Sequence, residues 1–126
     1  MLPWLEQCTA LTDLRLTNVC TQFEEIDSSR FFAAIPQVKN LEFGKNTLND
    51  RSITEAIGIS MCTNLVSLDL SWNSMTNASV EILKTRLTTL RQLTLLDISG
   101  NRMISDEAVA TLRTALPSIQ VLFDAN

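Results

Sequence analysis

The chain has 126 residues, a length that suits one domain built on one core. Its net charge of −4 argues against nucleic acid as the main partner, because phosphate binding needs a positive field. No His is present, which removes the commonest general base and metal ligand, and no apolar run approaches the ~18 residues of a membrane span. The start, Met1 to Glu6, lacks the basic and apolar stretches of a secretion signal, so the chain is expected to be intracellular and cytoplasmic.

In chain order, Pro3 to Cys8 reads as the tail of a helix. A spaced apolar figure follows at Leu11, Leu14 and Leu16, and continues irregularly through Val19, Cys20 and Thr21. Ser28 to Ile35 reads as a short helix that stops before Pro36. The figure returns at Val38, Leu41, Phe43, Asn46 and Leu48, and a helix with Ile53, Ile57 and Met61 on one side follows over Asp50 to Cys62, weakened by Gly58.

The most regular copy is Leu65, Leu68, Leu70, Asn73 and Met75. Its helix runs from Asn77, read as the N-cap, to Leu90, with Val80, Leu83 and Leu87 as an apolar stripe. The next copy is Leu93, Leu96, Ile98, Asn101 and Met103, with a helix over Ser105 to Leu116 whose first turn carries acids that suit the helix dipole. Pro117 ends that helix, and a last copy begins at Ile119 and Leu122 but breaks at Asp124. Starts at 11, 38, 65, 93 and 119 give a period of about 27 residues.

A repeat of strand, turn and helix cannot bury its apolar edge alone, so the copies are expected to stack. The spacing L-x-x-L-x-L-x-x-N-x-L at Val38–Leu48, Leu65–Met75 and Leu93–Met103 resembles the leucine-rich repeats, in their helix-containing, ribonuclease-inhibitor-like form. The resemblance covers nearly the whole chain. It implies an α/β solenoid of about five repeats spanning residues 1–126, with a parallel sheet on the concave side and helices on the convex side. It implies little about function, since the family includes inhibitors, receptors, actin regulators, ubiquitin-ligase adaptors and flagellar scaffolds. Asn46, Asn73 and Asn101 are expected to form a structural ladder at the turns, because an amide side chain can both donate and accept.

Cys8, Cys20 and Cys62 are an odd set without a Cys-x-x-Cys pair. Cys8 and Cys62 occupy positions that are apolar in the other repeats, so they are read as small core residues.

Counting the first apolar residue of each copy as position 1, the exposed strand positions are 3, 5 and 7. Position 5 reads Arg15, Glu42, Asp69, Asp97 and Phe123, and position 3 reads Asp13, Asn40, Ser67, Leu95 and Val121. Strands ~4.8 Å apart would stack Glu42, Asp69 and Asp97 as like charges, which either water screens or a basic partner relieves. A divalent cation between Asp69 and Asp97 lacks further oxygen ligands. Trp72 at position 8, with Leu95, Val121 and Phe123, adds exposed apolar surface, unless Trp72 packs on neighbouring turns. A one-residue slip in the last repeat would instead send Phe123 into the core and Asp124 outward. Lys84, Arg86, Arg91, Arg102 and Arg113 read as a solvated outer face.

No phosphate loop, nucleophile set or metal cluster is legible, so no catalytic residue, cofactor or metal is assigned. The expected function is a non-enzymatic protein-binding module, holding a partner with a basic surface through Glu42, Asp69, Trp72, Leu95, Asp97 and Phe123. The alternative is a subunit of a larger cytoskeletal, axonemal or ubiquitin-ligase assembly that docks through its ends. Neither nucleic acid nor membrane is expected as a partner.

Overall fold

The computed structural model describes residues 7–17, 28–55 and 57–124. Five three-residue strands, β1 (Asp13–Arg15), β2 (Asn40–Glu42), β3 (Ser67–Asp69), β4 (Leu95–Asp97) and β5 (Gln120–Leu122), form one parallel sheet in chain order. The middle residue of every strand, Leu14, Leu41, Leu68, Leu96 and Val121, is buried, while its two neighbours lie on the open face. That alternation is the two-residue period of a half-buried strand. Helices α1 (Ser28–Ala33), α2 (Asp50–Glu55), α3 (Asn77–Arg86) and α4 (Asp106–Ala115) pack on the other face, sharing one apolar core with the strands. The architecture is the expected α/β leucine-rich-repeat stack.

The turns are held by the asparagines. Asn46, Asn73 and Asn101 are all buried. Asn73 Nδ2 donates to the carbonyls of Leu70 (3.0 Å) and Ser71 (3.2 Å) in its own repeat and of Phe43 (3.1 Å) in the one before. Its Oδ1 accepts from Asn46 N (2.9 Å) and Leu48 N (3.0 Å). Asn101 repeats the pattern, with Nδ2 on Ile98 O and Leu70 O and Oδ1 on Met75 N. Each amide thus shapes its own turn and satisfies buried backbone in the preceding one.

A second ladder joins the helix starts. Asp50, the first residue of α2, accepts from the backbone N (2.9 Å) and Oγ1 (2.5 Å) of Thr76 and from the Ser79 hydroxyl. Burial pushes the Asp50 carboxyl up, but the bonds from Ser79 and Thr76 outweigh it and hold the group below its ordinary 3.8. One repeat on, Asn77 Oδ1 accepts from Ser105 N at 2.9 Å and Nδ2 donates to Ser105 Oγ.

Several expectations are corrected. Thr76, not Asn77, caps α3, because its hydroxyl accepts from Ala78 N while its own backbone is extended. The helix expected over Asp50 to Cys62 ends at Glu55, and a 3-10 turn covers Ile57–Met61. A 3-10 turn advances three residues per turn. It buries Ile59 and leaves Met61 57% exposed, so the stripe through Met61 does not hold. Arg86 and Arg113 are not purely solvated either: Arg86 Nη1 donates to Ile53 O, and Arg113 Nη2 to Val121 O at 2.8 Å. Cys62 is buried and Cys8 half-buried, both as free thiols, whereas Cys20, Val19, Thr21 and most of the Pro3 to Cys8 stretch lie outside the described residues.

Two one-residue changes disturb the period. Asn46 and Asn73 stand three residues before Asn49 and Thr76, the residues that open α2 and α3, but Asn101 stands four before the cap Ser105. The extra residue puts Ile104 in the core and expels Met103, expected at an inward position, to 72% exposure. In the last repeat one residue is missing between Ile119 and the strand centre. The register Leu95↔Gln120, Leu96↔Val121, Asp97↔Leu122 therefore buries Val121 and sets Leu122 on the open face. Phe123 is half-buried against the core, so the expected places of Val121 and Phe123 on the open face are corrected by the slip.

Candidate functional site

The open sheet face carries two rows of side chains fixed by strand register. The position-3 row runs Asp13, Asn40, Ser67, Leu95 and Gln120, and the position-5 row runs Arg15, Glu42, Asp69, Asp97 and Leu122. The first half of the face satisfies itself. Asn40 Nδ2 donates to Asp13 Oδ1, and Ser67 Oγ donates to Asn40 Oδ1 at 2.7 Å. Arg15 meets Glu42 at 2.6 Å, so Glu42, expected as one of three bare acids, already has its cation.

The second half differs. Asp69 Oδ1 accepts from Ser71 N at 2.8 Å and Asp97 Oδ1 from Ser99 N at 2.9 Å, each bond closing a tight local turn. Among the described residues neither carboxylate has a cation partner, and they face each other in register across β3 and β4. Half-buried Leu95 and exposed Leu122 flank them. Of the six expected residues, the structure groups Asp69, Asp97 and Leu95 on this half of the face and removes Phe123 from it.

Trp72 stands at the edge where the sheet passes into the turns. Position 8 is left-handed in three successive repeats, at Lys45 (φ 60°), Trp72 (φ 56°) and Gly100 (φ 76°). A bulky side chain in that region is uncommon. The Trp72 indole lies flat on Gly100, where a Cβ would come within 2.4 Å of Trp72 Cδ2. It is still 45% exposed and forms one wall of an open groove with Arg102 and Met103. The two alternatives for Trp72 therefore both hold: one ring face packs on the next turn and the rest is open. Sequence reasoning missed Met103 and Leu122. The signal for Met103 was the third residue between Asn101 and Ser105, where the preceding repeats have two, and for Leu122 the short step from Ile119.

With this geometry the chain can be set beside known proteins. It is similar in fold to leiomodin-1 actin-binding site 2. The two structures agree with a TM-score of 0.79 at 17% sequence identity, over 98% of this chain and 76% of the leiomodin-1 chain. At that identity the likeness to leiomodin-1 concerns the fold. No family model matches the sequence, and no curated protein does. No helix among the described residues is long and apolar enough to cross a membrane.

Proposed function

We infer that this chain is a non-catalytic protein-binding module whose partner rests on the second half of the open sheet face and on the Trp72 edge. One observation carries the reading: a Trp with nearly half its surface open is held in a left-handed backbone position on Gly100. Such a conformation costs about 1–2 kcal/mol for a residue with a Cβ. Exposed aromatics on a fixed backbone are the usual anchors of protein interfaces. Among the described residues the groove beside it and the second half of the sheet face lie open to water, which favours binding over catalysis. The helix in each repeat of about 27 residues supports the ribonuclease-inhibitor-like type of leucine-rich repeat.

The similar leiomodin-1 structure is named as an actin-binding site, so actin is the first partner to try. The test is titration of monomeric and filamentous actin with the chain and with its Trp72→Gly variant. Gly suits φ 56° and already occupies the equivalent place at Gly100, so the variant should stay folded. Binding that weakens about tenfold or more supports the reading. Binding that is unchanged in the variant removes Trp72 from the interface. If neither form of actin binds, actin is ruled out as the partner.

A further inference from the structure

Resting on that reading, we propose that Asp69 and Asp97 form a clamp for a single arginine side chain of the partner protein. The protein already shows this mode of contact on the same face. Arg15 and Glu42 occupy position 5 of adjacent repeats, and the guanidinium sits on the neighbouring carboxylate at 2.6 and 3.3 Å. Along the same row the next two residues are carboxylates with no cation among the described residues. Strands lie ~4.8 Å apart, which lets one planar guanidinium reach both carboxylates, whereas an ammonium is a point charge without that fork.

The surroundings suit the rest of such a side chain. Leu95 and Leu122 bracket Asp97 at positions 3 and 5 of β4 and β5 and offer apolar surface to the aliphatic stem of an arginine. Trp72 and Met103 stand at the edge of this half of the sheet, where they take an apolar neighbour on the same partner segment. Charge complementarity then separates the two halves of the face. In the first half Arg15 offsets Glu42, and Asp13 takes hydrogen bonds from Thr12 and Asn40, which leaves one net negative charge there against two in the second half. The second half binds a cationic segment and repels an acidic one.

The probe is a library of random linear peptides displayed on phage and selected on the full chain. The selected peptides are then measured against Asp69→Asn/Asp97→Asn, Leu122→Arg and Trp72→Gly. Asn keeps an oxygen for the Ser71 and Ser99 amides, so the double variant should hold its thermal midpoint. Leu122→Arg would set an internal guanidinium beside Asp97 as Arg15 stands beside Glu42, and compete with the peptide even where the double variant is unstable. The expected result is an arginine at one aligned position of the peptides. Affinity should fall about tenfold or more on either variant, with Lys in place of that Arg weaker as well. Peptides without an aligned arginine, or with equal affinity for the wild type and both charge variants, overturn the clamp. If such peptides still lose affinity on Trp72→Gly, the protein-binding reading stands without the clamp. If they are indifferent to all three variants, both fall.

Discussion

Replacing Asn73 with Ala tests whether the turn asparagines carry the stack. Its Oδ1 is the acceptor for two buried amides of the preceding repeat, Asn46 N and Leu48 N. Its Nδ2 bonds three carbonyls, but each keeps another donor: Phe43 O has Asn46 Nδ2, Leu70 O has Asn101 Nδ2, and Ser71 O has Lys45 N. The loss therefore falls mainly on the two amides. At about 1–3 kcal/mol for each buried group deprived of its partner, Asn73→Ala should cost about 2–6 kcal/mol. Asn101 serves one amide, Met75 N, and its Nδ2 is also the donor to Ile98 O, which has no second donor among the described residues, so Asn101→Ala deprives two groups as well and should cost about 2–6 kcal/mol on the same scale. Urea unfolding followed by far-ultraviolet circular dichroism and by Trp fluorescence reads both, with coincident curves checking that the transition is two-state. Either variant within about 1 kcal/mol of the wild type would refute this reasoning.

Three further outcomes are expected. Gly100→Ala should destabilise by more than the about 1–2 kcal/mol of its left-handed backbone, since the new Cβ meets the Trp72 ring; in a Trp72→Gly background the cost should shrink to the backbone part, as measured by a double-mutant cycle. Asp50 titrates below its ordinary 3.8 when folded, so its contribution to stability is full above that value and is lost as pH falls through the folded one; Asp50→Asn should flatten the acid limb of a stability-pH curve, and an unchanged limb would contradict the Thr76 and Ser79 bonds. Burial pushes the Cys62 thiol up to about 11, so a disulfide reagent at pH 8 should label it only in denaturant; rapid labelling of the native protein would show that the helix ends open locally.

The fold was legible because its signal is repeated. Leu14, Leu41, Leu68 and Leu96 recur with the same neighbours, and three asparagines mark the same turn, so the strands and their parallel order follow from the period. What misled was a change of one residue between strong positions. The extra residue before Ser105 leaves Met103 outside, and the missing residue after Ile119 moves Leu122 into the place expected for Phe123. A side chain two apart shares a face, so a slip of one exchanges core for surface. The 3-10 turn at Ile57–Met61 was hidden for another reason: the apolar stripe fits an ideal helix, while packing favours Ile59. Charge composition also could not show that Arg15 quenches Glu42 and leaves Asp69 and Asp97 as the open pair.

The recurring left-handed residue at Lys45, Trp72 and Gly100 makes the edge a column of equivalent display sites. Each backbone there is held by its own amide, which donates to the carbonyl of Ser71, Ser99 or Asp124 in the following repeat, so its direction does not depend on the side chain it carries. Recognition can therefore be rewritten along this edge one repeat at a time, provided that the equivalent position in the repeat after a tryptophan is Gly, as Gly100 is after Trp72, while the strands and core beneath stay as they are. A tryptophan moved from the third repeat to the second would carry its anchor one strand spacing along the sheet, about 4.8 Å, and the surface that reads the partner would shift in steps of that size.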